Sequence, residues 1–219
     1  MFYPHICAGC GSDLLDVKNL LCLNCIHLLP HTGFAEKVGN PVEKIFWGRI
    51  NIASAMSEFY FSKDSIIQVL IHELKYRGNK EIGLLLGNMM GESILRNSRF
   101  TIDALIPLPL FAARQHLRGF NQAEILCLGI NQVTNTPLIT GNIIRKHHTE
   151  TQTKKKRSQR WENVKGSFFI NNPAEIEGMH ILLVDDVVTT GATLEACANP
   201  ILKIPGVKLS IASLAYATI

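Results

Sequence analysis

The chain has 219 residues, of which 47% are hydrophobic and 18% charged, with a net charge of +4. This composition excludes wholesale disorder and suits one α/β domain with a small appendage, but the chain is short for two full domains. No apolar run approaches the roughly 18 residues of a membrane span, so no membrane insertion is expected.

Four of the six cysteines fall within the first twenty-five residues, and no signal-peptide core is present there. The chain is therefore expected to be cytoplasmic and its thiols reduced. Cys7 and Cys10 form one CxxC pair, and Cys22 and Cys25 form a second. Each pair can place two thiolates on one metal from a single turn, and two such turns close a tetrahedral S4 site. A closed site of this kind is structural, so a structural Zn2+ is expected on Cys7, Cys10, Cys22 and Cys25. Disulfides suit a reducing compartment poorly, and redox motifs do not come as matched pairs at this spacing. Residues 1–31 are read as this metal-binding segment, residues 32–47 as a linker, and residues 48–219 as the main domain.

Along that domain, residues 50–61 suit a strand. Asp64 or Ser65 can cap a helix to about Leu74, with Ile66, Leu70 and Leu74 on one face. Residues 75–79 read as a turn carrying two cations. Residues 81–94 read as a helix interrupted by glycines, 103–108 as a short buried strand, and 112–135 as mostly helix. A strand follows at 142–145. The next stretch is basic: residues 145–165 hold eight Lys or Arg against two Glu. A strand at 181–184, a helix from about Ala192 and a last strand at 207–216 complete the chain. Strands that alternate with helices predict a doubly wound parallel α/β sheet.

Residues 181–193 read Ile-Leu-Leu-Val-Asp-Asp-Val-Val-Thr-Thr-Gly-Ala-Thr. The apolar run builds a buried parallel strand whose carboxyl end opens on a ligand crevice. Asp185 and Asp186 are expected to leave the sheet there, placed to accept hydrogen bonds from a vicinal diol or to sit near hydrated Mg2+. Thr189, Thr190, Gly191, Ala192 and Thr193 form a turn whose N–H groups and hydroxyls suit a phosphate monoester. The positive end of the following helix favours the same anion. An acidic pair followed by a phosphate cradle describes a ribose 5-phosphate site. Every position resembles the 5-phosphoribosyl 1-pyrophosphate (PRPP) motif of type I phosphoribosyltransferases. That resemblance implies PRPP bound with Mg2+, and a pyrophosphate loop from an earlier turn, for which Lys75, Tyr76 and Arg77 are the candidates.

Further segments narrow the resemblance. They are Leu74-Lys75-Tyr76-Arg77-Gly78, Ile106-Pro107-Leu108-Pro109, Arg118-Gly119-Phe120-Asn121-Gln122, and the stretch from Gln152 to Arg160 with Asn163, Gly166 and Phe168. Together with the paired CxxC motifs and the PRPP motif, they resemble the ComF family of DNA-uptake competence proteins, including its GntX-like members. The resemblance implies a phosphoribosyltransferase-like domain behind a zinc finger, with single-stranded DNA and DNA-uptake proteins as partners. Lys154, Lys155, Lys156, Arg157 and Arg160 lie beside Trp161, a mixture of cations and aromatic that suits single-stranded nucleic acid. The same stretch is equally placed to serve as a lid over PRPP. Three functions stay open on these residues: a PRPP-binding protein that handles single-stranded DNA, an active transferase displacing pyrophosphate with an unidentified nitrogenous acceptor, and a docking scaffold.

Overall fold

Four strands rich in apolar residues form a parallel sheet: β1 (Ser54–Phe61), β2 (Ala104–Pro107), β5 (His180–Val188) and β6 (Lys208–Ala217), in the order β1-β6-β5-β2. A separate antiparallel pair joins β3 (Ile143–Arg145) to β4 (Phe168–Ile170). The computed structural model describes residues 6–13, 15–16, 19–111, 116–145 and 167–217. Ile181, Leu182, Leu183 and Val184 are fully buried, as the interior of a two-sided sheet requires.

The helices that frame the sheet are α1 (Leu23–His27), α2 (Pro41–Phe46), α3 (Ile66–Tyr76), α4 (Lys80–Leu95), α5 (Gln122–Thr134) and α6 (Ala192–Ile201). The crossover from β1 to β2 spans the sheet in one direction, and that from β5 to β6 steps back in the other. Right-handed crossovers running in opposite directions put their helices on opposite faces. Accordingly α4 and α5 pack on each other, with α5 against β2 and β5, while the start of α6 meets residues 45 and 46. The doubly wound parallel sheet is present.

Local signals account for the helix starts. The Ser65 hydroxyl accepts from the Gln68 N–H, and Asn79 caps α4 through the Ile82 N–H. The buried stripe of α3 is Ile67, Leu70, Ile71 and Leu74, while Ile66 is only half-buried. Instead of giving way to a turn at Lys75, α3 carries Lys75 and Tyr76 in its last turn.

Residues 32–47 are not a linker. Asn40 caps α2, accepting from the N–H groups of Val42 and Glu43, and Pro41 opens the helix. The same amide donates to the carbonyls of Phe34, Lys37 and Ala55, which ties the segment to β1. Buried Glu43 takes a bond from the Gly39 N–H at 2.6 Å and pairs with Arg99. Phe34, Val42 and Phe46 are core residues.

The N-terminal segment also closes an edge of the sheet. β1 is the outermost strand, and its free side meets residues 30–32: Tyr60 N–H donates to the Pro30 carbonyl (2.8 Å) and Thr32 N–H to the Glu58 carbonyl (3.0 Å). His31 pairs antiparallel with Phe59, and its Nδ1 lies 2.8 Å from the Glu58 carboxylate. A long edge strand that would otherwise template aggregation is thereby covered.

The glycines of α4 do not interrupt it. A Cβ on Gly87 would lie 2.4 Å from the Leu126 carbonyl oxygen and 3.0 Å from Gly129 Cα. Gly87 and Gly129 are thus the contact that lets α4 and α5 approach backbone to backbone. Gly87→Ala is expected to destabilise the protein by about 1–2 kcal/mol, overpacking outweighing the better helix propensity of alanine. An unchanged urea midpoint would mean that the two helices do not meet at this position.

Candidate functional site

β2 pairs with β5 only as far as Pro107 and Val184, while β5 runs on to Val188 with β6 still beside it. Asp185 and Asp186 are therefore inside the strand, where the sequence had suggested that they leave the sheet. They sit where the neighbour on one side has ended. The outgoing connection of β2 leads to α5 on one face, and that of β5 to α6 on the other. This is a topological switch point, the place where open α/β sheets take ligands.

Successive residues of a strand face opposite sides. Asp186 meets the last turn of α3, where its Oδ2 lies 2.6 Å from Lys75 Nζ. Asp185 faces the other way, within the field of Arg145 at the end of β3. The Arg145 guanidinium is stacked 3.6 Å from the Phe111 ring centroid and 5.0 Å from that of Phe168. Burial and the adjacent Asp186 charge push the Asp185 carboxyl up to about 8. The Asp186 N–H, which donates to Asp185 Oδ1 at 2.8 Å, opposes that rise, as do Lys75 and Arg145.

After β5 the chain turns through Thr189, Thr190 and Gly191 into α6. A small concavity of about 50 Å³ is lined by Asp185 and residues 187–194. Gly191 has φ +70°, and a Cβ there would fall 2.6 Å from Ile45 Cγ2 and 2.8 Å from the Phe46 ring, so both conformation and space demand glycine. The carbonyl of Thr190 accepts from Arg49 Nη1 at 2.8 Å, and the same guanidinium pairs with Glu195 in the first turn of α6 (Nε to Oε2, 2.9 Å). Thr189 and Thr190 are exposed, Ala192 and Thr193 half-buried, and the N-terminus of α6 opens on the same concavity.

The three residues expected to hold pyrophosphate separate in space. Lys75 enters the site. Tyr76 is 67% exposed on the outer face, and Arg77 bridges to Glu73 at 3.0 Å. Asn121 joins β2 to α5: it donates to the Leu108 carbonyl and caps the helix at the Ala123 N–H. It also lines an open cavity of about 270 Å³, with Pro107, Pro109, Glu124, Thr140 and Arg145. Lys154, Lys155, Lys156, Arg157 and Arg160 lie outside the described residues. Arg49, Arg145 and Asn121 were not singled out as site residues from the sequence. Asn121 alone carried a local signal, as a capping residue ahead of an apolar helix.

At the N-terminus, the sulfurs of Cys7, Cys10, Cys22 and Cys25 all lie within 4.8 Å of one another, a cluster that fits a structural zinc site. Burial would raise the Cys7 thiol, but backbone N–H groups of Cys22, Cys10 and Gly9 outweigh it and bring it down to about 6. The Cys22 N–H donates to Cys7 Sγ at 3.3 Å. Burial and the neighbouring thiols push Cys25 the other way. A donor set of four converging sulfurs, one already inclined to ionise, suits a divalent soft-acceptor metal.

The phosphoribosyl transferase domain family matches residues 129–218. The chain is 27% identical to competence protein F of Haemophilus influenzae over 99% of both chains. It is 26% identical to competence protein ComFC of Bacillus subtilis, over 90% of this chain and 78% of that protein. Over nine-tenths or more of its length the chain is thus similar to two competence proteins. It is also 31% identical to the DNA utilization protein YhgH of Salmonella typhi over 63% of its own residues, and this match spans 61% of the YhgH chain. The fold here is a type I phosphoribosyltransferase sheet with a cysteine cluster at its N-terminus. Among the described residues no helix is long and apolar enough to cross a membrane.

Elemental analysis of the purified protein should give about one zinc per chain, held by four thiolates. Cys10 is exposed, so Cys10→Ser disturbs packing least. Full zinc retention by that variant would rule out the four-sulfur site.

The Asp185 carboxyl also sets a pH dependence. Its folded pKa of about 8 lies above its unfolded value, so the folded state holds more protons in between and stability falls as pH rises from about 4 to about 8. Asp185→Asn removes that cost. It should raise the stability of the ligand-free protein by on the order of 1–2 kcal/mol more at pH 8 than at pH 5, after solvent screening. Melting curves at the two pH values measure the difference, and an equal effect at both would refute the raised pKa.

Proposed function

We propose that this protein binds PRPP with Mg2+ at the carboxyl end of β5 and acts in the handling of single-stranded DNA during competence. One observation carries the ligand assignment: where the neighbouring strand ends, Asp185 lines the same concavity as the Gly191 turn, with Asp186 next to it in the strand. In this reading the monoester phosphate sits against the N–H groups and hydroxyls of residues 189–193. The ribose hydroxyls donate to Asp185 and Asp186. Lys75, which pairs with Asp186 without ligand, turns to the pyrophosphate. Residues 108–111 leave the strand beside β5 and border the same crevice, so their backbone supports the pyrophosphate as well. Mg2+ bound with PRPP would help to neutralise the pyrophosphate charge.

The DNA part of the reading is supported by the relatives, two of which are named competence proteins and one a DNA utilization protein. Single-stranded DNA and uptake proteins are the partners, and the cytoplasm the compartment, that this role requires. The chain spans only about three-fifths of the YhgH relative, so its activity and partners are part of the proposal.

A second reading, transfer to a nitrogenous acceptor, is favoured by the cations Lys75 and Arg145 on either side of the acidic pair. They would stabilise a departing pyrophosphate and hold the carboxylates against the oxocarbenium charge at the ribose.

Calorimetric titration of PRPP, with and without Mg2+, tests the site. Wild type should bind PRPP with Mg2+ assistance, and the folded Asp185→Asn/Asp186→Asn double variant should lose at least about tenfold in affinity, as expected where charge-assisted hydrogen bonds are removed. Absence of binding by folded wild type would overturn the assignment.

A further inference from the structure

The outer face of the same corner carries features that the ligand site does not use. Lys75 turns inward to Asp186, but the next residue, Tyr76, leaves two-thirds of its surface in water. The Arg118 guanidinium lies 5.6 Å from the Tyr76 ring centroid, and the His72 ring packs 4.8 Å from it, one turn earlier on α3. At the start of α4, Lys80 Nζ lies 5.2 Å over the ring of Phe120. Two motifs distant in sequence, residues 74–80 and 118–122, thus interlock as two cation-on-aromatic pairs. An open cavity of about 630 Å³ borders them, lined by Lys75, Tyr76, Gly78, Leu117 and Arg118.

Packing does not explain this surface. A ring this exposed buries little apolar area, and an exposed cation–π contact is worth only about 0.5–1 kcal/mol, too little to account for both pairs as stabilising devices. The polar partner of Arg118 is the neutral Gln122 side chain (Nη1 to Oε1, 2.7 Å), which orients the guanidinium without cancelling its charge. Leu117 is 86% exposed beside them, adding apolar surface to the same rim.

An exposed tyrosine ring and a half-buried phenylalanine ring, each beside a positive charge, match one ligand chemistry: flat bases that stack, joined by phosphates that pair. Two such stations in one rim suit successive bases of a strand better than one free nucleotide, and a duplex would hide the base faces they need. We propose that this face binds single-stranded nucleic acid, with bases stacked on Tyr76 and Phe120 and phosphates on Arg118 and Lys80. The proposal rests on the nucleic-acid part of the function proposed above and gives it a surface. It also places the strand beside Lys75, which lines this cavity and pairs with Asp186 in the PRPP crevice.

The test is fluorescence anisotropy of a labelled oligothymidylate titrated with the full chain, with melting temperature as the check that each variant folds. Tyr76→Ala and Arg118→Ala should each weaken binding by about tenfold or more, in the range measured for removal of a stacking platform. Tyr76→Phe keeps the ring and should retain wild-type affinity. Arg118→Ala should also reduce the slope of log affinity against log salt by about 0.7, the share of one phosphate contact on a single strand. Wild-type binding that Tyr76→Ala and Arg118→Ala leave intact would overturn this surface while leaving DNA handling standing. Equal affinity for a duplex of the same length would overturn the stacking. No affinity of wild type for the strand would remove the nucleic-acid reading itself, without touching the PRPP titration.

Discussion

The site depends on a mismatch in strand length. β5 continues four residues beyond its last pairing with β2 at Val184, so two consecutive acids are held in strand geometry where, among the described residues, the paired strand on one flank has ended. Strand alternation then sends the two side chains to opposite faces of the sheet. Burial and the neighbouring Asp186 charge raise the ionisation cost of Asp185, which Lys75 and Arg145 both ease. One face is answered by Lys75, delivered by the end of α3, and the other by Arg145, delivered by the end of β3. Three distant stretches of chain thus supply the two aspartates and the two cations beside them.

The phosphate loop depends on a different kind of support. A tight turn with a left-handed residue at its apex is a small anion cradle only if its backbone is held still. Ile45 and Phe46 press on Gly191 where a Cβ would stand, and Arg49 fixes the Thr190 carbonyl while gripping Glu195 in the following helix. The loop is therefore clamped between its own helix and α2. That clamp fixes the turn that lines the concavity, which would lower the ordering cost of the binding proposed there.

What the sequence could reveal divides along the same line. The PRPP motif was readable because strand, acids and cradle are contiguous, and the paired CxxC motifs because metal ligands at that spacing have few other uses. Arg49 and Arg145 were not readable, since each acts across more than thirty residues on a loop it does not neighbour. Residues 32–47 were misread for a different reason. Gly33, Gly39 and Pro41 suggested a linker, yet Asn40-Pro41 is a helix cap followed by proline at the first helical position, a start signal in its own right. The glycines of α4 misled in the same way: they read as breaks, although the spacing of Gly83, Gly87 and Gly91 by four residues puts them on one face, against α5. The extent of β5 was missed because the apolar run stops at Val184, whereas backbone pairing with β6 carries the strand through two charged residues.

The cysteine cluster and the crevice are far apart in the chain but are joined by one rigid element. A Cβ on Gly9, between Cys7 and Cys10, would fall 2.9 Å from Cys25 Sγ and 3.0 Å from Ile66 Cδ1, so the cysteine segment rests on the first residue of α3. Ten residues along the same helix is Tyr76, and beside it Lys75 holds Asp186. The segment leaving the cluster then closes the edge of β1 through residues 30–32, and its continuation forms α2, which backs Gly191. Both supports of the ligand site, the α3 cation and the α2 clamp, are thus anchored on the stretch of chain that the four thiols hold together. That stretch packs on the main core through Leu21 and Leu29, and a metal on the four thiols would fix its shape further. Losing the metal would loosen the start of α3, uncover an edge strand and relax the clamp on the phosphate loop together, because the three contacts share one piece of chain.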